Sequence, residues 1–267
     1  MELSSRLSRA ATKLRGGKKS RSQPVDLYAV EHILRNEYGQ PRHGNKRDPF
    51  NELLFVILSL QTSAINCHRS YRSLLDGFGC RSSLASASRS QIRRHIEIAG
   101  LGRQRAGKIV AIVRAILKDR GELSLAFLRR MNTEDAEDYL TRLPGVGKKT
   151  ARCVLMYSLD REVFPLDTHC ARILKRLGFK IPAGSLRRCE DEIQSLIPAG
   201  IRYSLHVTMV SLGREICTSR APKCRECPML SICPTGRSIM AISIGGGRPP
   251  VGVGRSVEWP MSSSNLP

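Results

Sequence analysis

From residue 25 to about residue 215, apolar side chains recur three and four positions apart, and no convincing stretch alternates as a strand would. That period commits the chain to an all-α fold. The clearest case is 103–119, where Ala106, Ile109, Val110, Ile112, Val113, Ile116 and Leu117 define one side of a helix. Residues 25–38 repeat the pattern with Val25, Tyr28, Ile33 and Leu34 and end at Gly39. Pro49 opens a helix through 60, and another runs from about 63 to 75, closed by Gly77 and Gly79. Ser88 is placed to cap a helix over 91–99, which Gly100 stops. Thr133 caps a helix to 143, and helices over 148–159, 168–177, 186–197 and 204–215 follow.

Charge narrows the partner. The 267 residues carry 44 Lys+Arg against 23 Asp+Glu, a net charge of +21. Residues 1–22 hold +6 of it and residues 235–267 hold +2, which leaves +13 on the middle. Basicity on the folded part points to a nucleic acid or an anionic surface. A spanning helix is excluded, because the longest mostly apolar stretch, 53–60, is eight residues against the about 20 required. No apolar segment of a secretory signal follows the basic start. Residues 1–23 read as a disordered basic tail, either a DNA-contacting arm or an Arg- and Ser-rich transit segment; 235–267 read as a disordered Gly-, Pro- and Ser-rich tail.

Two turns suit a phosphate. In Leu143-Pro144-Gly145-Val146-Gly147-Lys148-Lys149-Thr150, Pro144 stops one helix and the glycines clear space before the next. Main-chain N–H groups at that helix start can hold a phosphate without reading a base. Gly100-Leu101-Gly102-Arg103 has the same outline before a basic helix.

Lys149 falls in the first turn of its helix. The dipole and partial burial both work against an ammonium there and favour a nucleophilic amine. Lys148 points elsewhere and is free to meet phosphate. Asp167 caps the next helix, and a carboxylate fixed that way can also face a developing positive charge.

Nine cysteines is an odd number, which disfavours a disulfide framework and fits a reducing compartment. Four of them follow Cys217-x6-Cys224-x2-Cys227-x5-Cys233. Only one pair is close enough for a zinc knuckle. The run suits a cubane iron–sulfur cluster on four thiolates, with zinc as the alternative. Cys67, Cys80, Cys153, Cys170 and Cys189 read as ordinary core or surface thiols.

Taken in order, the Leu143–Ala151 turn, Asp167-Thr168-His169 and the four cysteines resemble the endonuclease III family of DNA repair glycosylases, over roughly residues 24–234. The resemblance implies two α-helical lobes flanking a DNA-binding cleft, a helix-hairpin-helix motif and a [4Fe-4S] loop. One lobe would hold about 45–158, the other 24–44 with 159–234. It further implies a monomer acting on duplex DNA with damaged or abasic sites, in a bacterial cytoplasm or nucleoid, or in a eukaryotic nucleus or organelle. The damaged nucleotide would be flipped out of the stack. By position, Lys149 would attack C1′ and displace an oxidised pyrimidine, and β-elimination would then cleave the strand. Asp167 would stabilise the cationic sugar. Gln61 would fill the gap left by the flipped base. Gly145, Val146, Gly147, Lys148 and Thr150, with Gly100, Gly102 and Arg103, would contact DNA. His206 aligns with a family histidine and equally reads as a satisfied core residue.

The chain departs from the family pattern at Ala64, where an acidic residue is common, and at Leu212, where a histidine is common; both bear on lesion preference. An adenine-type monofunctional glycosylase would lack the lysine and carry a glutamate where Val56 stands. A non-enzymatic DNA-binding protein with a structural metal is the remaining alternative.

Overall fold

A computed structural model describes residues 25–40, 45–100, 102–181 and 186–243. The expected tail over 1–23, Leu101 and the chain beyond 243 lie outside the described residues. Twelve α-helices and no strand are present among the described residues, as the helical period requires. They are α1 (Leu27–Tyr38), α2 (Pro49–Ser59), α3 (Ala64–Phe78), α4 (Arg81–Ala85), α5 (Arg89–Ile96), α6 (Gly102–Arg120), α7 (Thr133–Arg142), α8 (Lys148–Leu159), α9 (Thr168–Arg176), α10 (Glu190–Leu196), α11 (Arg202–Glu215) and α12 (Pro234–Ser243). None is long and apolar enough to cross a membrane.

Local chemistry sets most helix starts. Asp48 caps α2, its carboxylate accepting from Asn51 N at 2.9 Å, with Pro49 at the first position. Ser88 and Gln91 form a reciprocal capping box on α5. Asn132, rather than Thr133, caps α7: its side chain accepts from Asp135 N, and Thr133 is already helical. Gly77 lies inside α3, which runs to Phe78 before Gly79 turns the chain at φ 65°. Residues 186–197 do not form one helix. A 3-10 turn, Leu186–Arg188, precedes α10, because Cys189 N bonds back to Leu186 O. The tail expected from 235 begins instead as a helix, α12, with Pro234 at its start.

Burial divides the helices between two cores. One gathers α2, α3, α5, α6, α7 and α8 around Leu53, Ile57, Leu74, Ile109, Leu140 and Val154. The other gathers α1, α9, α10 and α11 with Met229 and Cys233 around Leu34, Phe164, Leu174 and Met209. α2 and α8 pack against each other and are buried on nearly every face. Such helices are fixed by packing all round, so a group carried on either has little freedom to wander.

The cores are also pinned by charge. Arg152 on α8 is buried; its guanidinium donates to Glu137 of α7 at 2.9 and 3.1 Å, to Glu190 O at 2.9 Å and to the Asp191 carboxylate of α10.

Candidate active site

A cavity of about 140 Å³ lies between the two cores. α8 contributes Lys149, Cys153 and Tyr157; Asp167 enters from the start of α9, His206 and Arg214 from α11, Phe55, Val56 and Ser59 from α2, and Asn45 from the segment before it. Lys149 and Asp167 are thus brought together from positions 18 residues apart in sequence. The chain achieves this by ending α8 at Asp160, a left-handed residue at φ 53°, and returning through Val163, Phe164 and Leu166, all buried.

Asp167 caps α9, its Oδ1 accepting from Cys170 N at 2.8 Å. Burial pushes its carboxyl up, but His206, the Cys170 N–H and Lys149 outweigh burial and leave it below the usual carboxylate range. Burial pushes His206 itself down to about 4, so the ring is neutral at neutral pH. The groups that then hold Asp167 ionised are the N–H and the lysine. The imidazole packs edge-on to Phe164 and lies 3.5 Å from Cys170 Sγ through Nδ1, a satisfied core histidine that also lines the cavity.

Lys149 differs from its expectation. Its ammonium is held above the ordinary lysine value: the Cys153 sulfur, one turn along α8, raises it most, burial opposes, and Asp167 adds to the rise. Burial pushes the Cys153 thiol up to about 11, so at neutral pH it keeps its own proton. With that thiol neutral, Asp167 is the anion that favours the ammonium, against burial. Cys153, which reads in sequence as an ordinary thiol, proves to be a cavity wall beside Lys149. A cysteine at i+4 from the lysine was the available signal.

The turn before α8 places the residues expected to meet an anion in different settings. Gly145 takes φ 72°, which only glycine adopts without strain. Gly147 does not: its φ is −97°, and a Cβ there would meet nothing within 4 Å. No side chain caps α8, so its first N–H groups are open to a ligand. Val146 is buried and its N–H already bonds Leu143 O at 3.1 Å, so it supports the turn from within. Thr150 is buried too. Lys148 is exposed, with its ammonium on Asp191 of α10.

The second turn is partly committed to packing. Gly100 takes φ 74°, and Gly102 is buried where a Cβ would approach Glu97 Cα at 3.2 Å. Arg103 is exposed, and its carbonyl accepts from Arg89 at 2.9 Å. Gln61 is an exposed left-handed residue at φ 50°, held by an Arg105 guanidinium on the preceding carbonyl of Leu60. It stands outside the set that lines the cavity.

Residues 54–199 match the HhH-GPD superfamily base excision DNA repair protein family. The chain belongs to this superfamily. Endonuclease III of Thermotoga maritima is 30% identical over 193 residues, spanning 72% of this chain and 86% of that one. Endonuclease III of Bacillus subtilis is 27% identical, spanning 71% and 83%. Among solved structures, a non-covalent endonuclease III–DNA complex superposes with a TM-score of 0.67 at 26% identity, covering 80% of this chain and 96% of that one. A trapped endonuclease III–DNA covalent intermediate matches equally, at 26% identity and 0.67, covering 80% and 97%. The protein is an endonuclease III-like base-excision-repair DNA glycosylase with a helix-hairpin-helix fold.

In this HhH-GPD protein the four spaced cysteines line one small cavity, with Arg176, Pro222 and Thr235 around them. Arg176 Nη1 donates to Cys217 Sγ at 2.9 Å and Gly236 N to Cys233 Sγ at 3.3 Å. Donors aimed at sulfur suit thiolates that carry charge. Among the described residues no three His, Cys, Asp or Glu side chains are arranged to grip a single metal ion. The four thiols line one shared cavity, a donor set suited to thiolate-ligated metal.

Proposed function

We propose that this glycosylase is bifunctional: it removes oxidised pyrimidines from duplex DNA and cleaves the strand at the resulting site. The carrying observation is the shared cavity of Lys149 and Asp167. A lysine amine opposite a carboxylate supplies a nucleophile and a counter-charge for a cationic sugar. The relative caught as a covalent DNA intermediate is consistent with amine chemistry. Val56, not a carboxylate, stands on the cavity wall where an adenine-type enzyme would carry glutamate.

The steps follow from the groups present. Duplex DNA docks its backbone on the open N–H groups before α8, and the extruded nucleotide enters the cavity. Asp167 holds Lys149 in position, and the ammonium must lose a proton before attack. The amine then bonds C1′, the C1′–base bond breaks, and the base leaves with its electron pair and takes up a proton. The sugar ring then opens: the C1′–O4′ bond breaks, the proton on nitrogen passes to O4′, and the nitrogen forms a C1′=N iminium; loss of a C2′ proton from it drives β-elimination of the 3′ phosphate.

Cys217, Cys224, Cys227 and Cys233 would hold a [4Fe-4S] cluster. When bound it supplies covalent cross-links that fix the loop. Iron and acid-labile sulfide in equal amounts support this reading; zinc alone in protein purified without oxygen overturns it.

Borohydride trapping on DNA with thymine glycol or an abasic site tests the proposal. A covalent adduct with the parent protein, lost in Lys149→Ala, is expected. No adduct with the parent sinks the lyase reading, and an undiminished Lys149→Ala adduct sinks the residue assignment.

A further inference from the structure

The cavity holds more polar groups than the chemistry uses. The Ser59 hydroxyl donates back to Val56 O at 2.8 Å and the Ser211 hydroxyl to Val207 O at 3.3 Å, so both are spent on their own helices. His206 is spent on the core. Asn45 is different. It sits at the cavity wall, partly exposed, and its Nδ2 donates to Glu52 Oε1 at 2.5 Å.

Glu52 fixes which way that amide points. It is wholly buried on α2, and its second oxygen, Oε2, accepts from Lys46 N at 2.7 Å. Lys46 is itself buried, with its ammonium over the Phe55 and Tyr71 rings at 5.4 and 5.0 Å. The Lys46 N–H, which can only donate, takes Oε2, and Oε1 is the atom that accepts from the Asn45 NH2 group. The carbonyl oxygen, Oδ1, is thereby left as an acceptor, and among the described residues no donor engages it.

We infer that Asn45 reads the extruded base, its Oδ1 accepting from an N–H on the base edge, and that Glu52 is the positioning residue that keeps the oxygen turned that way. The ligand class is a base with a ring N–H donor, such as the imide edge of an oxidised thymine. Once the extruded base fills the cavity and excludes water, an acceptor at its wall disfavours bases that lack the donor, since each would leave a polar group unpaired. This rests on the glycosylase/lyase reading and specifies its substrate.

The test compares two rates in the full-length protein: base release from thymine-glycol DNA, and cleavage of a preformed abasic site, which has no base to read. Asn45→Ala lowers the ratio of base release to abasic cleavage about tenfold. Glu52→Gln leaves Asn45 in place but must turn its own oxygen to the Lys46 N–H, so its NH2 group faces Asn45 and reverses that amide. Its ratio falls in the same direction. In the Asn45→Ala background, Glu52→Gln then has no further effect on the ratio, because the residue it orients is gone.

Equal loss of both rates in Asn45→Ala, or additive effects in the double variant, overturns the inference while leaving the lyase reading intact. A parent protein that cleaves neither substrate fails the lyase reading itself, and the inference with it.

Discussion

Asp167 faces Lys149 across the cavity while its Oδ1 accepts from the Cys170 N–H at 2.8 Å, so one carboxylate caps α9 and supplies charge to the site. The two duties separate by mutation. Asp167→Asn keeps a competent cap and loses the charge; adduct formation falls by about 10² or more at little cost in stability. Asp167→Ala loses both and costs about 1 kcal/mol as well. The carboxylate also helps hold the Lys149 proton. Residual trapping by Asp167→Asn therefore turns on at lower pH than in the parent. A pH profile of adduct yield checks the direction, and an unmoved rising limb contradicts the pairing.

The two glycines of the Leu143–Thr150 turn predict opposite failures. Gly145→Ala forces a side chain onto φ 72° and costs about 1 kcal/mol of stability. Its Cβ would also press on the end of Lys108 at 2.9 Å, a side chain that can move aside. Gly147→Ala meets an ordinary φ and empty space, so thermal stability stays within about 1 kcal/mol. Its methyl occupies the ground a phosphate would take, and duplex affinity by fluorescence anisotropy drops about tenfold.

Arg152 predicts a large stability effect far from the chemistry. Its removal strands Glu137, whose side chain is 12% exposed. Denaturant unfolding of Arg152→Ala should show a loss of about 3 kcal/mol. Lys148→Ala breaks only an exposed pair with Asp191, and its loss stays below about 1 kcal/mol.

Glu52 gives the clearest pH signature. Burial lifts its carboxyl from 4.5 to about 8, against the pull of Lys46 N–H, Asn45 and Lys149. Between those values the folded protein keeps a proton that the unfolded chain releases, so this group makes stability fall as pH rises through that window. Glu52→Gln removes the titration. Relative to the parent, its melting temperature rises progressively from pH 5 to pH 8; a constant difference across that range contradicts the raised value.

Much of this was legible in the sequence wherever a local rule sufficed. Lys148–Leu159 begins and ends where expected, because a glycine turn and a run of apolar residues mark it. Asp167 and Ser88 announce their helices by cap chemistry alone. Arg81–Ala85 escaped notice, because five residues with only Leu84 buried display no period. Pro234–Ser243 hid in a Gly-, Pro- and Ser-rich composition. The cavity was half legible. Lys149 and Asp167 stand in motifs, whereas Asn45 and Glu52 lie about a hundred residues earlier and acquire meaning only when α2 packs on α8. The lysine's partners were hidden for the same reason. The helix start and burial were visible, but the sulfur and carboxylate around it were not.

α9 is nine residues long, roughly 13 Å. It opens on the Asp167 cap and closes on Arg176, whose guanidinium donates to Cys217 Sγ and to Thr218 O, while its carbonyl accepts from Thr235. One rigid rod is thus clamped at one end by the cysteine loop and aims a carboxylate with the other. The cysteine loop and the Asp167 carboxylate are therefore the two ends of one lever, and displacing the first is expected to move the second.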